Sequence, residues 1–212
     1  MKTKDMTSKM TPHMTPDEIG HAYDQITHLW DDACFDRRNG IAQHEKALQF
    51  VKPPGNALDI GCGPTGRFID LLQQAGFTVS GLDVSANMLS LAQARHPSVA
   101  FTQADICTYP LTDTYDFITA WDSIWHIPLD QQVPVMEKIV ASLNPGGVFI
   151  FSFGGVEEAG AHVDNFMGPE VYYSSLGTQG FLRLFMEMGC VIRHVEFDQY
   201  PELHTYMIIE KG

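Results

Sequence analysis

The stretch Leu58-Asp59-Ile60-Gly61-Cys62-Gly63-Pro64-Thr65-Gly66 decides the fold of this chain. An apolar run ends in an acidic residue and a glycine-rich turn, and a helical pattern of apolar residues begins at Arg67. A strand, a tight turn and a helix in this order open a nucleotide-binding α/β unit. The glycines match G-x-G-x-x-G, which favours a dinucleotide, whereas the acid before the turn favours a cationic ligand without phosphate.

Strand and helix patterns alternate after this turn. The predicted strands are 57–60, 77–82, 99–102, 115–121 and 148–153, with helices over 65–75, 85–95 and 129–143. Two further strands, 191–197 and 204–210, are too close for a helical crossover, so they should pair as an antiparallel hairpin. The pattern predicts a Rossmann-like, doubly wound α/β fold. Its seven-stranded sheet is mostly parallel, with the antiparallel hairpin at the carboxyl end and helices on both faces.

The remaining segments are assigned to a single domain over 16–212 with a tail before it. Residues 1–15 are polar and threonine-rich, and we expect them to be disordered. Residues 16–52 add a helical cap, and residues 154–175 form a long, weakly periodic insert that predicts a lid. Further helices are predicted over 15–30, 41–50 and 178–188.

Composition and charge narrow the class of ligand. The chain has 212 residues and a formal net charge of −13 at pH 7, which disfavours binding to nucleic acid. Its four cysteines form no C-x-x-C pair, as is typical of the reducing cytoplasm. No run has the length of a membrane span or the character of a signal peptide. We expect a cytoplasmic monomer or homodimer that binds a small molecule, and neither a membrane nor nucleic acid.

Acidic residues accompany three successive predicted strands. Asp59 precedes the glycine turn, Asp83 ends the second strand and Asp105 follows the third. Asp83 lies twenty positions after Gly63, where a carboxylate can accept both hydroxyls of a ribose. Each acid alone could equally cap a helix or a turn, but their joint placement favours a binding site.

An ordered set of short segments runs from the glycine turn to the fifth strand. They are Leu58-Asp59-Ile60-Gly61-Cys62-Gly63, Gly81-Leu82-Asp83-Val84-Ser85 with Met88-Leu89, Ala104-Asp105-Ile106, Tyr115-Asp116-Phe117-Ile118 and Leu143-Asn144-Pro145-Gly146-Gly147. Together they resemble the class I S-adenosylmethionine-dependent methyltransferases of the bacterial, small-molecule type. The resemblance is strong over roughly 57–153 and extends to the helix around Tyr23 and to the carboxyl-terminal hairpin. It implies methyl transfer from S-adenosyl-L-methionine to a small-molecule acceptor, with S-adenosyl-L-homocysteine as product.

The resemblance implies residues for the methionine part of the cofactor. Asp59 would reach its amino group, directly or through water. Gly61 and Gly63 would face the methionine part with Cys62 between them, and Trp121 would lie beside it. The cofactor carries a sulfonium and an ammonium but no phosphate, so a carboxylate before the turn suits it and would repel a pyrophosphate.

The nucleoside part has its own implied residues. Asp83 would hold the ribose hydroxyls, and Val84 and Met88 would pack on the adenine. Asp105 and Ile106 would border the adenine ring, with Asp105 accepting from its exocyclic amine.

Catalytic candidates follow the fourth strand in Trp121-Asp122-Ser123-Ile124-Trp125-His126-Ile127-Pro128. His126 is the first candidate for a general base and Asp122 the second. Alternatively, His126 only holds the loop, and Asp122 binds cofactor or caps the turn. We expect no metal, because the acids and asparagine of the metal-dependent catechol type cannot be assembled here.

Aromatic residues are expected to roof the acceptor pocket, where they would suit a planar or cationic molecule. They are Tyr23, Trp30, Trp125, Phe166, Tyr172 and Tyr173. Each of them could equally be ordinary lid packing. Four histidines without an evident partner are expected at the surface or in loops: His28, His162, His194 and His204.

Other functions stay open from the sequence. A nicotinamide-dependent oxidoreductase would also use the glycine turn and Asp83, although the chain lacks a Tyr-x-x-x-Lys helix. A non-catalytic S-adenosylmethionine-binding module would keep the turn without turnover. Transfer of another group from the same cofactor, or from its decarboxylated form, is a third reading. The acceptor atom, O, N, C or S, is left open.

Overall fold

Nine strands lie in the part of the chain that the computed structural model describes, residues 13–31, 35–52 and 54–212. They are β1 (Asn56–Ile60), β2 (Thr78–Asp83), β3 (Ala100–Gln103), β4 (Tyr115–Ala120), β5 (Leu143–Gly154), β6 (Gly160–Asp164), β7 (Val171–Ser175), β8 (Val191–Glu196) and β9 (His204–Glu210). Seven form one sheet in the order β3-β2-β1-β4-β5-β9-β8. β1 to β5 pair in parallel, and β9 is antiparallel to both β5 and β8. The predicted Rossmann-like sheet with its carboxyl-terminal antiparallel hairpin is confirmed.

Helices cover both faces of this sheet, as predicted. The described helices are α1 (Pro16–Ile26), α2 (His28–Asp31), α3 (Ile41–Ala47), α4 (Arg67–Gln74), α5 (Ala86–Arg95), α6 (Gln132–Ser142) and α7 (Gly177–Glu187). Strand β5 is buried at every position from Val148 to Phe153, so helices must cover the sheet on both of its faces there. Its side chains alternate between two cores. Phe149 and Phe151 belong to the core with α6 and α7, and Val148 and Ile150 to the core with α3 and α4.

The first helix begins where the sequence predicts and ends earlier. The Thr15 hydroxyl accepts from the backbone N–H of Glu18, whose carboxylate accepts from the backbone N–H of Thr15 at 2.7 Å. This capping box satisfies two otherwise unpaired donors. α1 stops at Ile26 rather than near residue 30, because the Thr27 hydroxyl bonds back to the carbonyls of Tyr23 and Asp24. Residues 1–12 of the predicted tail lie outside the described part of the chain.

Two other predicted helices are shorter than expected. The helix predicted over 41–50 is α3, which ends at Ala47 and continues as the 3₁₀ turn Leu48–Phe50. The helix predicted over 129–143 begins at Gln132, after the 3₁₀ turn Leu129–Gln131. Helix ends are where 3₁₀ geometry most often replaces the α form, so periodicity alone does not fix these boundaries.

The insert over 154–175 contains a β-hairpin. β6 pairs antiparallel with β7, from Gly160 opposite Ser175 to Asp164 opposite Val171. Val171 and Tyr172 are buried against Ile19 of α1. β6 has no buried residue, so it lacks the apolar alternation that would have marked it as a strand in the sequence.

Candidate functional site

A cavity of about 380 Å³ lies at the carboxyl edge of the sheet. The strand order reverses there, with β2 on one side of β1 and β4 on the other, which is where doubly wound sheets bind ligands. We call its two walls the β2 side and the β4 side. The β2 side is lined by Gly61, Cys62, Gly63, Leu82, Asp83, Val84, Met88, Ala104, Asp105 and Ile106. The β4 side is lined by Tyr23, Trp30, Trp121, Asp122, Trp125, His126, Met167, Tyr173 and His204.

The glycine turn presents bare backbone to the cavity. The N–H groups of Gly61 and Cys62 both donate to the carbonyl of Leu82, at 2.7 and 3.1 Å, and so anchor the turn to β2. Gly63 has φ +54°, and a Cβ on it would meet no atom within 4 Å. A side chain there would be strained and would project into open space, so glycine leaves that room to a ligand.

Asp83 is fixed by the same turn. Its Oδ2 accepts from the N–H of Gly63 and its Oδ1 from the N–H of Ser85, both at 2.9 Å. Burial raises the pKa of Asp83, and these backbone hydrogen bonds oppose that rise. A carboxylate oxygen has more than one acceptor position, so both oxygens can also accept from ligand hydroxyls.

Asp59 is buried behind the turn, only 2% exposed, and is not part of the cavity lining. Its Oδ2 has no hydrogen-bond partner among the described residues. Burial raises the pKa of Asp59 to about 7, an effect that Arg67 opposes and Asp83 reinforces. An unpartnered buried carboxylate oxygen is costly, and a positively charged group would satisfy it.

The charges of the polar residues in the cavity lining indicate which kind of ligand fits. Asp83, Asp105 and Asp122 supply carboxylates, and Arg67 is the single lysine or arginine among the lining residues. The Arg67 guanidinium already donates to the carbonyl of Asn39 and to the Thr65 hydroxyl. A pyrophosphate would therefore meet acids rather than free cations, whereas a cation without phosphate fits.

On the β4 side, Asp122 belongs to a charged cluster. It has a left-handed backbone, φ 53°, and its Oδ1 accepts from His204 Nε2 at 2.9 Å. His204 Nδ1 donates to Asp198 at 2.5 Å. Burial alone lowers the pKa of His204, but its hydrogen bonds to the two carboxylates raise it overall. Each nitrogen of the His204 ring faces a carboxylate, which can only accept, so both nitrogens carry a proton and the ring is a cation. Asp122 is therefore paired with a positively charged His204.

His204 was expected at the surface or in a loop, and this expectation is wrong. Its side chain is 9% exposed and lines the cavity. Residue 204 is brought to the end of β4 through the pairing of β9 with β5, which places it opposite Gly154. No local sequence pattern reports such a pairing.

His126 is held by three groups. Its Nδ1 lies 2.8 Å from the carbonyl oxygen of Tyr172, and its Nε2 lies 2.6 Å from the Tyr23 hydroxyl. The indole N–H of Trp125 also donates to Nε2, at 2.9 Å. Burial lowers the pKa of His126 to about 4, although the Tyr172 carbonyl and nearby carboxylates oppose this. The ring is therefore neutral at pH 7, and its lone pair is already shared by two donors.

Comparison with known sequences shows which family the central part of the chain matches. Residues 57–147, from β1 to the start of β5, match the model of the methyltransferase domain family. This segment of the chain is a methyltransferase domain. The family expected from the resemblance is thereby confirmed.

Curated relatives share this methyltransferase domain. An uncharacterized methyltransferase of Alkaliphilus oremlandii is 25% identical over 145 residues, which cover 64% of this chain and 67% of the relative. A trans-aconitate 2-methyltransferase of Rhizobium etli is 34% identical over 93 residues, or 43% of this chain and 36% of that enzyme. The chain thus spans between about one third and two thirds of these relatives' lengths, which establishes a shared domain rather than a shared substrate.

A solved structure has the same fold around the methyltransferase domain. It is the 1,6-didemethyltoxoflavin-N1-methyltransferase of Burkholderia thailandensis, with bound 1,6-didemethyltoxoflavin and S-adenosylhomocysteine. The two chains superpose with a TM-score of 0.68 at 18% identity, covering 96% of this chain and 93% of that one. The likeness extends the shared fold to the cap and the hairpin insert.

The methyltransferase domain brings most of the predicted residues to one cavity. Nine of the ten residues expected at the cofactor line it, and Asp59 is buried behind them. Tyr23, Trp30, Trp125 and Tyr173 line the β4 side together with both catalytic candidates. Lining residues that the sequence analysis did not assign to the site include Asn39, Arg67, Phe68, Met167, Gln199 and His204.

Two of the expected acceptor-pocket residues do not line the cavity. Phe166 is 95% exposed and lies outside the lining. Tyr172 is buried instead. It is 1% exposed, and it is not among the residues that line the cavity. Its hydroxyl accepts from the N–H of Leu129 at 3.1 Å, and its carbonyl holds His126. The aromatic pattern does not distinguish it from Tyr173, because adjacent residues of a strand face opposite sides.

The described part of the chain has neither a metal-binding cluster of side chains nor a membrane-spanning helix. Nowhere in that part do three or more His, Cys, Asp or Glu side chains form a group that could hold a metal ion. Its helices are also too short or too polar to cross a membrane. The metal-free reaction and the cytoplasmic location stay predictions.

Proposed function

We propose that this chain transfers a methyl group from S-adenosyl-L-methionine to a small-molecule acceptor. The observation that carries the proposal is one cavity with two chemically different walls, a carboxylate-bearing wall at the glycine turn and an aromatic wall facing it. A cationic, phosphate-free cofactor suits the first wall, and a flat acceptor suits the second.

The β2 side would hold the cofactor. Asp83 would accept from the ribose hydroxyls, because both of its oxygens are fixed by backbone N–H groups. Asp59 would receive the ammonium group, directly or through water, and so satisfy its unpartnered oxygen. When bound, S-adenosyl-L-methionine supplies a methyl group on a sulfonium that is a good leaving group, so positioning provides much of the catalysis.

The adenine and methionine parts would meet the remaining predicted residues. Val84, Met88 and Ile106 offer apolar lining for the adenine, and Asp105 an acceptor for its amine. Gly61, Cys62, Gly63 and Trp121 would border the methionine part.

The two catalytic candidates would act by positioning. Asp122 is bound to His204, and the lone pair of His126 is bound to Tyr23 and Trp125. Neither therefore offers a free base to the acceptor. This supports a reaction that depends on orientation within the aromatic wall rather than on proton abstraction.

The proposal includes the setting of the enzyme. We place it in the general class of one-carbon transferases, acting without metal in the cytoplasm as a monomer or homodimer on a small molecule, with neither nucleic acid nor membrane as partner. The net charge of −13 and the free thiols of Cys62, Cys107 and Cys190 support this setting. Residues 16–212 would act as one domain, with 16–52 as cap and the β6–β7 hairpin as lid.

Cofactor binding tests the proposal directly. S-adenosyl-L-homocysteine at 100 times its Kd should stabilise the protein by about 2.7 kcal/mol in thermal or urea unfolding, and NADH should not. Stabilisation by NADH alone would identify an oxidoreductase instead. If the protein binds S-adenosyl-L-homocysteine but transfers no tritiated methyl group to any member of an acceptor panel, it is a non-catalytic binding module.

A further inference from the structure

We propose that Tyr23 presents only a hydrogen-bond acceptor to the cavity. It thereby selects a substrate for methylation that carries an O–H or N–H group. The identity of the ligand as a methyl acceptor rests on the proposed function. The arrangement of protons around Tyr23 follows from the hydrogen bonds within the chain, without any ligand.

The carbonyl of Tyr172 sets the tautomer of His126. A carbonyl oxygen can only accept, so the His126 nitrogen 2.8 Å from it, Nδ1, must carry a proton. A neutral imidazole has a single N–H, so Nε2 is then an acceptor. The burial of the ring, only 7% exposed, favours this neutral form.

Trp125 gives independent evidence for the same tautomer. An indole N–H can only donate, and that of Trp125 lies 2.9 Å from His126 Nε2. The contact at Nδ1 and the contact at Nε2 therefore both show that Nε2 is a hydrogen-bond acceptor.

The proton of Tyr23 is consequently committed. Its hydroxyl lies 2.6 Å from His126 Nε2, which can only accept, so the hydroxyl donates its one proton there. Burial raises the pKa of Tyr23 well above its ordinary value, so the phenol stays protonated. Its oxygen retains lone pairs and has no proton to offer to a ligand in the cavity that Tyr23 lines.

The surrounding residues define the shape of the selected molecule. Tyr23 packs against Trp30 with ring centroids 5.3 Å apart, and Tyr173 packs against His126 at 4.8 Å. Trp125 lies 6.3 Å from Tyr173. These rings favour a planar acceptor molecule whose edge carries a proton donor, since an edge with acceptors alone would oppose the Tyr23 lone pairs.

Nitrogen NMR tests the proton arrangement without any ligand. In protein labelled with ¹⁵N-histidine, the His126 signals are assigned by their loss in His126→Gln. Two-bond ¹H–¹⁵N spectra between pH 6 and 8 should show a protonated Nδ1 and a bare Nε2. A proton on Nε2 would overturn the inference, whether or not the protein binds a methyl donor.

Matched probe ligands test the selection. Calorimetry measures the binding of 2-naphthol and 2-methoxynaphthalene to protein saturated with S-adenosyl-L-homocysteine. We expect the hydroxyl probe to bind about five- to tenfold more tightly to the natural chain, the gain of one hydrogen bond. Tyr23→Phe should reduce this ratio to about one, and Tyr200→Phe, which removes the hydroxyl of an exposed tyrosine outside the cavity lining, should leave it unchanged.

The outcomes separate this inference from the proposed function. A ratio that Tyr23→Phe leaves unchanged, a preference for the ether, or binding of neither probe contradicts the selection. Failure to bind S-adenosyl-L-homocysteine contradicts the proposed function, while the NMR result still decides the proton arrangement. If Tyr23→Phe weakens the binding of S-adenosyl-L-homocysteine and leaves the probe ratio unchanged, Tyr23 belongs to the cofactor site instead.

Discussion

At the scale of single residues, Asp59 and Asp83 are buried carboxylates at the same edge of the sheet with different surroundings. Both oxygens of Asp83 accept a backbone N–H, whereas Oδ2 of Asp59 has no partner among the described residues. A hydrogen-bonded carboxylate is ready to orient a ligand, while an unpartnered one destabilises the ligand-free protein. The two acids should therefore respond differently to substitution.

Replacing Asp83 should weaken cofactor binding. In Asp83→Ala we expect the Kd for S-adenosyl-L-homocysteine to rise by about tenfold or more, because hydrogen bonds to a charged acceptor are lost. Titration calorimetry measures this. The control is Asp113→Ala, which removes an exposed carboxylate outside the cavity lining. An unchanged Kd in Asp83→Ala would refute its assignment to the ribose.

Neutralising Asp59 should stabilise the empty protein and weaken cofactor binding. The pKa of Asp59 is raised from 3.8 to about 7, so stability is full below pH 3.8 and is lost as pH rises to about 7. Asp59→Asn removes that loss, which amounts to about 1.4 kcal/mol for each pKa unit at most. Urea unfolding should show the variant more stable than the natural chain at pH 8, with a much smaller difference at pH 4.

The same variant also tests the role of Asp59 toward the cofactor. Since an amide carries no charge, S-adenosyl-L-homocysteine should stabilise Asp59→Asn less than it stabilises the natural chain. Equal stabilisation of the two proteins would show that the carboxylate does not reach the ammonium group.

At the scale of elements, the β6–β7 hairpin joins the cap to the segment after β4. Tyr172 and Ser174 of β7 bond to three positions there: His126, Leu129 and Ile127. On its other side, β7 packs against α1 through Val171. The hairpin therefore fixes the β4 side of the cavity, which its Tyr173 also lines.

Removing one of these bonds should destabilise the fold. Tyr172→Phe leaves the N–H of Leu129 without its acceptor, and we expect a loss of about 1 kcal/mol in the free energy of unfolding. Tyr200→Phe is the matched control, since Tyr200 is 85% exposed and should change stability by less than about 0.5 kcal/mol. Urea unfolding with an unchanged m-value measures both, and equal effects would contradict the contact.

At the scale of the whole molecule, the buried histidines set the pH dependence of stability. Burial lowers the pKa of His44 to about 3 and that of His126 to about 4. In the unfolded chain both titrate near 6.5, so their contribution is present above that pH and is lost as pH falls. His204 has a raised pKa, so its contribution is present below about pH 6.5 and is lost as pH rises.

The sum predicts a stability maximum near pH 6.5. Between pH 4 and 6.5 the two histidines of lowered pKa outweigh the opposing effects of Asp59 and Asp83, whose pKa values burial raises. Above pH 6.5 both His204 and Asp59 reduce stability. Urea midpoints at pH 5, 6.5 and 8.5 measure the curve. In His204→Gln the decline above pH 6.5 should be shallower, and an unaltered slope would remove His204 from the explanation.

Local patterns in the amino-acid sequence are sufficient to predict the sheet and its ligand-binding edge. The period of two or 3.6 in apolar residues is a local property, so strands such as β1 and β2 could be predicted to within about two residues. Once parallel pairing is inferred, residues after successive strands must meet at one edge. This is why the sequence predicts one common site for Gly63, Asp83 and Asp105.

The partners of the ionisable groups, in contrast, depend on tertiary packing. The Tyr23 hydroxyl meets His126 across 103 positions of sequence, and His204 meets Asp122 across 82. Such contacts depend on how the cap, the hairpin and β9 pack, which no local period encodes. Burial and hydrogen bonding then fix each protonation state, because they change the cost of a charge far more than residue type does. Two histidines that look alike in sequence are thus a neutral ring at position 126 and a cation at position 204.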